Sequence, residues 1–201
     1  MDAIDGGSSE SPVSTMVDPP PPKIATDAGS DCASDKESDI FYIGERRFRK
    51  ANVKDKEFQR QSLLFEDQFV RSEGFEITWD KFDYMFDSFD LAWWTPLESD
   101  KTNEQLVRIM INDAIDKHNE ENGANLEFVK HVKTNFWGCA GYCFWITFLA
   151  RDLSSNSDIK VYQTKVRRFM GKNTVRIFRE RPTDEEIASV HVELPEYECF
   201  K

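Results

Sequence analysis

The sequence predicts an α+β fold in which one long helix packs across a four-stranded antiparallel sheet, with a Phe-rich extension ahead of the helix. Three observations predict it. A helix-start signal and an apolar stripe occupy residues 102–122, four segments rich in β-branched and aromatic residues follow, and glycine-bearing turns separate strand from strand. One helix followed by consecutive hairpins is an α+β meander.

Residues 1–40 come first and lack Phe, Trp and Tyr altogether, although the chain of 201 residues holds sixteen Phe and five Trp. Ser, Asp, Gly and the run Pro19–Pro22 make this stretch too polar to repay the entropy of ordering, so a disordered acidic tail is expected. The proline run favours a local polyproline II conformation that could dock on an aromatic groove, but a solvated spacer is the simpler reading.

Residues 41–100 form the Phe/Trp-rich extension, expected to pack on the domain. From Asp55 to Arg71, Phe58, Leu63 or Leu64, Phe65 and Phe69 fall at roughly helical intervals and Gly74 supplies a stop, which predicts a helix. Residues 75–94 interleave aromatics with acids. Their alternation is imperfect, which leaves strand or irregular packing open.

The main domain spans residues 101–182. Thr102 with Gln105 reads as a capping box. Val107, Ile111, Ala114, Ile115 and His118 then make one apolar stripe, and Asn122-Gly123 gives a left-handed stop. Strands are expected at 126–136, 142–151, 159–169 and 174–179. In the second, Tyr142, Phe144, Ile146, Phe148 and Ala150 alternate with Cys143, Trp145, Thr147 and Leu149. Gly138 and Gly141 mark one hairpin and Gly171-Lys172-Asn173 another, and residues 183–201 are left as a C-terminal extension.

The net charge of -11 argues against a nucleic-acid partner, since phosphate neutralisation needs a basic face. Nine acids and two lysines in residues 1–39 carry -7 of it, leaving -4 for the remainder. Cys32, Cys139, Cys143 and Cys199 are too few and too irregular for a disulfide framework. Met1 to Glu10 lack a signal-peptide pattern, and no apolar run reaches the roughly 18 residues of a membrane span. An intracellular protein, cytoplasmic or nuclear, with reduced thiols is therefore expected.

Ala114-Ile115-Asp116-Lys117-His118-Asn119 followed by Leu126-Glu127-Phe128-Val129-Lys130 resembles the helix end and first long strand of plant cystatins. The similarity continues through Ala140-Gly141, Ile146-Thr147-Phe148, Ala150, Asp152, Tyr162-Gln163 and Lys165-Val166, covering roughly residues 102–180. The Phe-rich acidic segment ahead of the helix resembles the plant cystatin-related branch. The resemblance implies a cystatin-like fold, no catalysis and no cofactor.

Inhibitory cystatins use three contacts with a papain-like cysteine protease: an N-terminal glycine, a first hairpin carrying Gln-x-Val-x-Gly and a second carrying Pro-Trp. Such a wedge fills the groove without presenting a cleavable bond. In this sequence the first hairpin reads Trp137-Gly138-Cys139-Ala140-Gly141, keeping only Gly141, and the second holds Met170-Gly171. No glycine lies just before the helix, and the leader could crowd the wedge edge. These seven hairpin residues are the candidate partner-binding site. The expected function is a protein-interaction module with degenerate inhibitory motifs, the alternative being a working inhibitor. Because the four departures Trp137, Cys139, Met170 and Gly171 lie on turns, exchange for the family residues is expected to be tolerated.

Other constellations read as ordinary structure. Cys139 and Cys143 flank the hairpin tip with Lys133 the nearest cation by sequence, and a disulfide between them is conceivable but disfavoured by a reducing compartment. His118, His131 and His191 match no zinc spacing and are expected at the surface or the helix edge. Asp80 with Asp83 and Glu185 with Glu186 are expected as solvated acids, and Lys165 with Arg167 or Arg168 as a solvated strand face, a site for an acidic partner being the weaker reading. Phe136, Trp137 and Trp145 near the first hairpin are either an exposed aromatic tip that meets a partner or buried against the leader, with burial the preferred reading. An enzyme on this fold would need a polar pocket that the sequence does not reveal.

Overall fold

The capping box at Thr102 forms with both of its hydrogen bonds and starts a helix at Asn103–Asn122, which ends at Gly123 in the left-handed conformation (φ 62°). A computed structural model describes residues 39–154 and 158–194 of the chain, which lie within one compact unit, Asp35–Lys201. The expected disordered tail, residues 1–40, lies outside the described residues except at its end, where the boundary is corrected: Ile40 already belongs to a strand and pairs with Arg49. In chain order the elements are β1 (Ile40–Ile43), β2 (Arg46–Arg49), α1 (Lys56–Arg71), β3 (Phe89–Asp90), α2 (Asn103–Asn122), β4 (Leu126–Cys139), β5 (Gly141–Asp152), β6 (Ile159–Phe169), β7 (Lys172–Glu180) and α3 (Asp184–Ser189).

Strands β3 to β7 form one antiparallel sheet in sequence order. It has five strands, not the expected four. The added strand is β3, whose Phe89 and Asp90 pair with Phe136 and Asn135 at the edge of β4. Two residues are too few to show alternation in a sequence, so this strand exists through its partner rather than through its own pattern. Elsewhere residues 75–94 take irregular structure with two short 3₁₀ turns, Trp79–Lys81 and Leu91–Trp93.

Side chains alternate across β5, and both faces are covered. Phe144, Ile146, Phe148 and Ala150 are buried in one core with Leu106, Val107, Met110, Ile111 and Ile115 of α2. The predicted stripe is therefore the buried face of that helix. Its last member, His118, is half-buried and stacks on Phe178 of β7 at 4.3 Å.

The opposite face is met by the extension. Asp55 caps α1 by accepting from the Glu57 amide, and the helix ends at Arg71, after which Glu73 and Gly74 turn the chain at positive φ (53° and 89°). Phe69 meets Trp145 edge-on at 5.6 Å. Asn135 of β4 donates to the carbonyls of Gly74 and Phe75 at 2.8 and 3.2 Å and accepts from Trp79 Nε1 at 2.9 Å. Glu76 accepts from Lys133, Gln163 and Arg181. Leu64, Phe65, Phe69, Phe86 and Trp93 pack around Ile77, Trp79 and Phe82 as a second core. Double coverage explains why Trp145 and Thr147 are buried along with their alternates.

Candidate functional site

The two long hairpins end together at one edge of the molecule. Trp137, Gly138 and Cys139 finish β4, Ala140 is the tip, and Gly141 opens β5 with φ 92°. Met170 and Gly171 are the two-residue turn between β6 and β7, with Phe169 paired to Lys172. All seven residues predicted as a site are thus brought to one end of the sheet, on neighbouring turns.

What joins the turns is backbone proximity. A Cβ at Gly141 would lie 2.3 Å from the Arg168 carbonyl oxygen and 3.2 Å from Phe169 Cα, so only glycine permits this approach. Arg167 Nη2 donates to the Ala140 carbonyl at 3.1 Å and its guanidinium lies over the Phe169 ring. Arg168 organises the second hairpin, donating to Glu98 Oε1 at 2.6 Å, the Gly171 carbonyl at 3.1 Å and Asn173 Oδ1 at 2.8 Å. Asn173 in turn donates to Asp113 on α2 at 2.6 Å.

Of the two arginines that could have joined Lys165 on a solvated face, Arg168 does not, because its side chain is only 11% exposed and clamped by Glu98. Glu98 is held below the usual carboxylate range, first by its hydrogen bond from Arg168 and then by the charges of Arg168 and Lys101, against the cost of burial. Neither Glu98 nor Phe169 was legible as a site residue. Glu98 lies seventy positions from its partner, and Phe169 shows only as the last residue before a turn.

The expected burial of three aromatics is corrected for one. Phe136 and Trp145 are buried, the former against Phe89 and Trp94. Trp137 is 40% exposed, with Phe169 at 45% and Met170 at 85%. The leader reaches this end through Glu98, paired with Arg168, and leaves Trp137, Phe169 and Met170 exposed.

Met170 and Gly171 both have positive φ, 48° and 73°. A two-residue turn with both central residues in that region is type I′. Proline, fixed near -65°, cannot occupy the first position, and a tryptophan would be strained at the second. The expectation that Met170→Pro and Gly171→Trp would be tolerated is therefore corrected: the turn itself is of the wrong hand for that pair.

Cys139 is exposed and Cys143 half-buried, both as free thiols with their sulfurs 3.3 Å apart. Lys133, the cation nearest in sequence, is engaged with Glu76. Lys165 and Arg167 are the cations that act on Cys143, yet burial, with the Cys139 contact second, pushes its thiol up. His131 is half-buried, lies 2.8 Å from the Thr134 hydroxyl and is lowered by burial, while His191 is exposed. Among the described residues no group of three or more His, Cys, Asp or Glu is arranged to hold a metal ion. No helix of the described residues is long and apolar enough to cross a membrane.

A cleft of about 550 Å³ opens beside β7 and α3, near the opposite end of β6 and β7 from the turns. Its arginines are each engaged: Arg71 with Asp67, Arg179 with Glu73, and Arg181 with Glu76 and Asp184. Comparison of the chain with protein-family models gives no match, and comparison with curated proteins finds no significantly similar sequence.

Proposed function

We propose that this chain is a non-enzymatic protein-interaction module of cystatin-like type, related to the plant cystatin-related branch, which engages a partner protein through the paired hairpin turns. The observation that carries the reading is Met170. It is the most exposed large apolar side chain among the described residues, and it is held at positive φ, where a non-glycine residue is uncommon. The hairpin turn accounts for the backbone but favours Asn, Asp or Gly at this position, so a large apolar side chain held there in water has no packing role, and exposed apolar surface marks interaction sites. Trp137 and Phe169 extend the apolar surface, and tryptophan is enriched among residues that dominate interface energies.

A second reading, inhibition of a papain-like cysteine protease, is favoured by one feature, the side-by-side placement of the two turns at Gly141 and Arg168. Against it stand Trp137 and Cys139 in the first turn and a second turn whose handedness excludes proline.

The test is site-specific photo-crosslinking from position 170 in the native cellular context, with and without Trp137→Ala. One adduct with a single protein, lost in the variant while the melting temperature stays unchanged, supports the reading. No adduct, or adducts indifferent to Trp137, contradicts it.

A further inference from the structure

We propose that Cys139 and Cys143 are a redox modification site, closing reversibly to a disulfide by exchange with a small-molecule disulfide of the glutathione class. The sulfurs are already 3.3 Å apart, without an intervening group. A disulfide needs about 2.05 Å, a further approach of little more than an ångström. Cys143 is fixed in the sheet, its Cα opposite Trp137 on one side and Arg167 on the other. Cys139 is the last residue of β4, next to the tip, and is exposed to an attacking disulfide.

The order of events follows from this asymmetry. The Cys139 thiol gives up its proton, and its thiolate attacks one sulfur of the small disulfide, forming a mixed disulfide and expelling one small thiolate. The Cys143 thiol then loses its proton, and its thiolate attacks Cys139 Sγ, forming the Cys139–Cys143 bond and expelling the second small thiolate. The two protons end on the two released thiols. Two protein thiols are oxidised by two electrons, and one small disulfide is reduced. Cys143 is suited to the resolving role by place: it is half-buried, less open to a solvent disulfide than Cys139, and its sulfur lies beside that of Cys139. The closed loop is very short, so the bond adds little folding stability and is reversible rather than structural.

The full chain is equilibrated in buffers of increasing oxidised-to-reduced glutathione ratio, acid-quenched, alkylated and digested with trypsin. Both cysteines fall in one peptide, Thr134–Arg151, because no Lys or Arg interrupts it. The expected result is loss of two hydrogens from this peptide, without alkylation or glutathione. Cys143→Ser should trap the mixed disulfide on Cys139, but only at ratios about tenfold or more further toward oxidation, since the second step is intramolecular in the native chain. Persistent glutathione adducts on the native chain, pairing with Cys32 or Cys199, or full alkylation of both thiols in oxidised glutathione would each overturn the proposal.

Discussion

A Cβ at Gly141 would fall 2.3 Å from the carbonyl oxygen of Arg168, so glycine at one hairpin sets how closely the other can lie. The guanidinium of the same Arg168 ties Glu98 of the leader to the Gly171 carbonyl at the second turn. One residue therefore couples both turns to the segment ahead of the main helix.

Gly141→Ala should destabilise the protein by about 1 to 3 kcal/mol, combining a backbone clash with a strained positive φ. Gly138→Ala is the control, because nothing lies within 4 Å of its added methyl, and it should stay within about 0.5 kcal/mol of the parent. Urea unfolding of both variants checks this. Equal effects would mean that the turns are not in contact.

Acidification should weaken the second hairpin through Glu98. Its carboxyl is depressed in the folded state, chiefly by Arg168, so its contribution is fully present above the unfolded value of about 4.3 and is lost as pH falls through the lowered folded value. Melting temperatures of the parent and Glu98→Gln should differ most at neutral pH and converge in acid. A difference that does not change with pH would refute the pairing.

Both faces of β5 should be sensitive to truncation. Phe144→Ala and Trp145→Ala are each expected to cost about 3 to 5 kcal/mol, the range for large buried aromatics. Phe144 is fully buried on the α2 face and Trp145 is 3% exposed on the extension face. If thermal unfolding shows that only Phe144→Ala matters, the extension does not pack on the sheet.

Much of this fold was legible in the sequence because its signals are local. Thr102 with Gln105, the Val107–Ile115 stripe and Gly123 each act within a turn or two of helix, and the alternation from Phe144 to Ala150 is a property of one strand. The same alternation hid the second covered face, since Trp145 and Thr147 look like the solvent side of a half-buried strand until α1 and Gly74 are brought over them. Strand β3 was hidden because it has only two residues. At the candidate site, the turns and their unusual residues could be read directly. For Trp137 the exposed alternative holds rather than the preferred burial, because exposure depends on how far the leader reaches. The clamp between Arg168 and Glu98 joins residues that no pattern relates, and the hand of the Met170-Gly171 turn is a backbone property that the pair of residue types does not fix.

Inhibition of papain by the unmodified full chain tests the account most directly, with a peptide substrate and increasing concentrations of the protein. The account predicts that papain stays active through about 1 μM of added protein, because the first turn lacks the groove-filling side chains and the second has a hand that excludes proline. Tight inhibition at about 1 nM would contradict it, and would make Trp137, Cys139 and Met170 working substitutes for the residues that inhibitory cystatins carry at such turns.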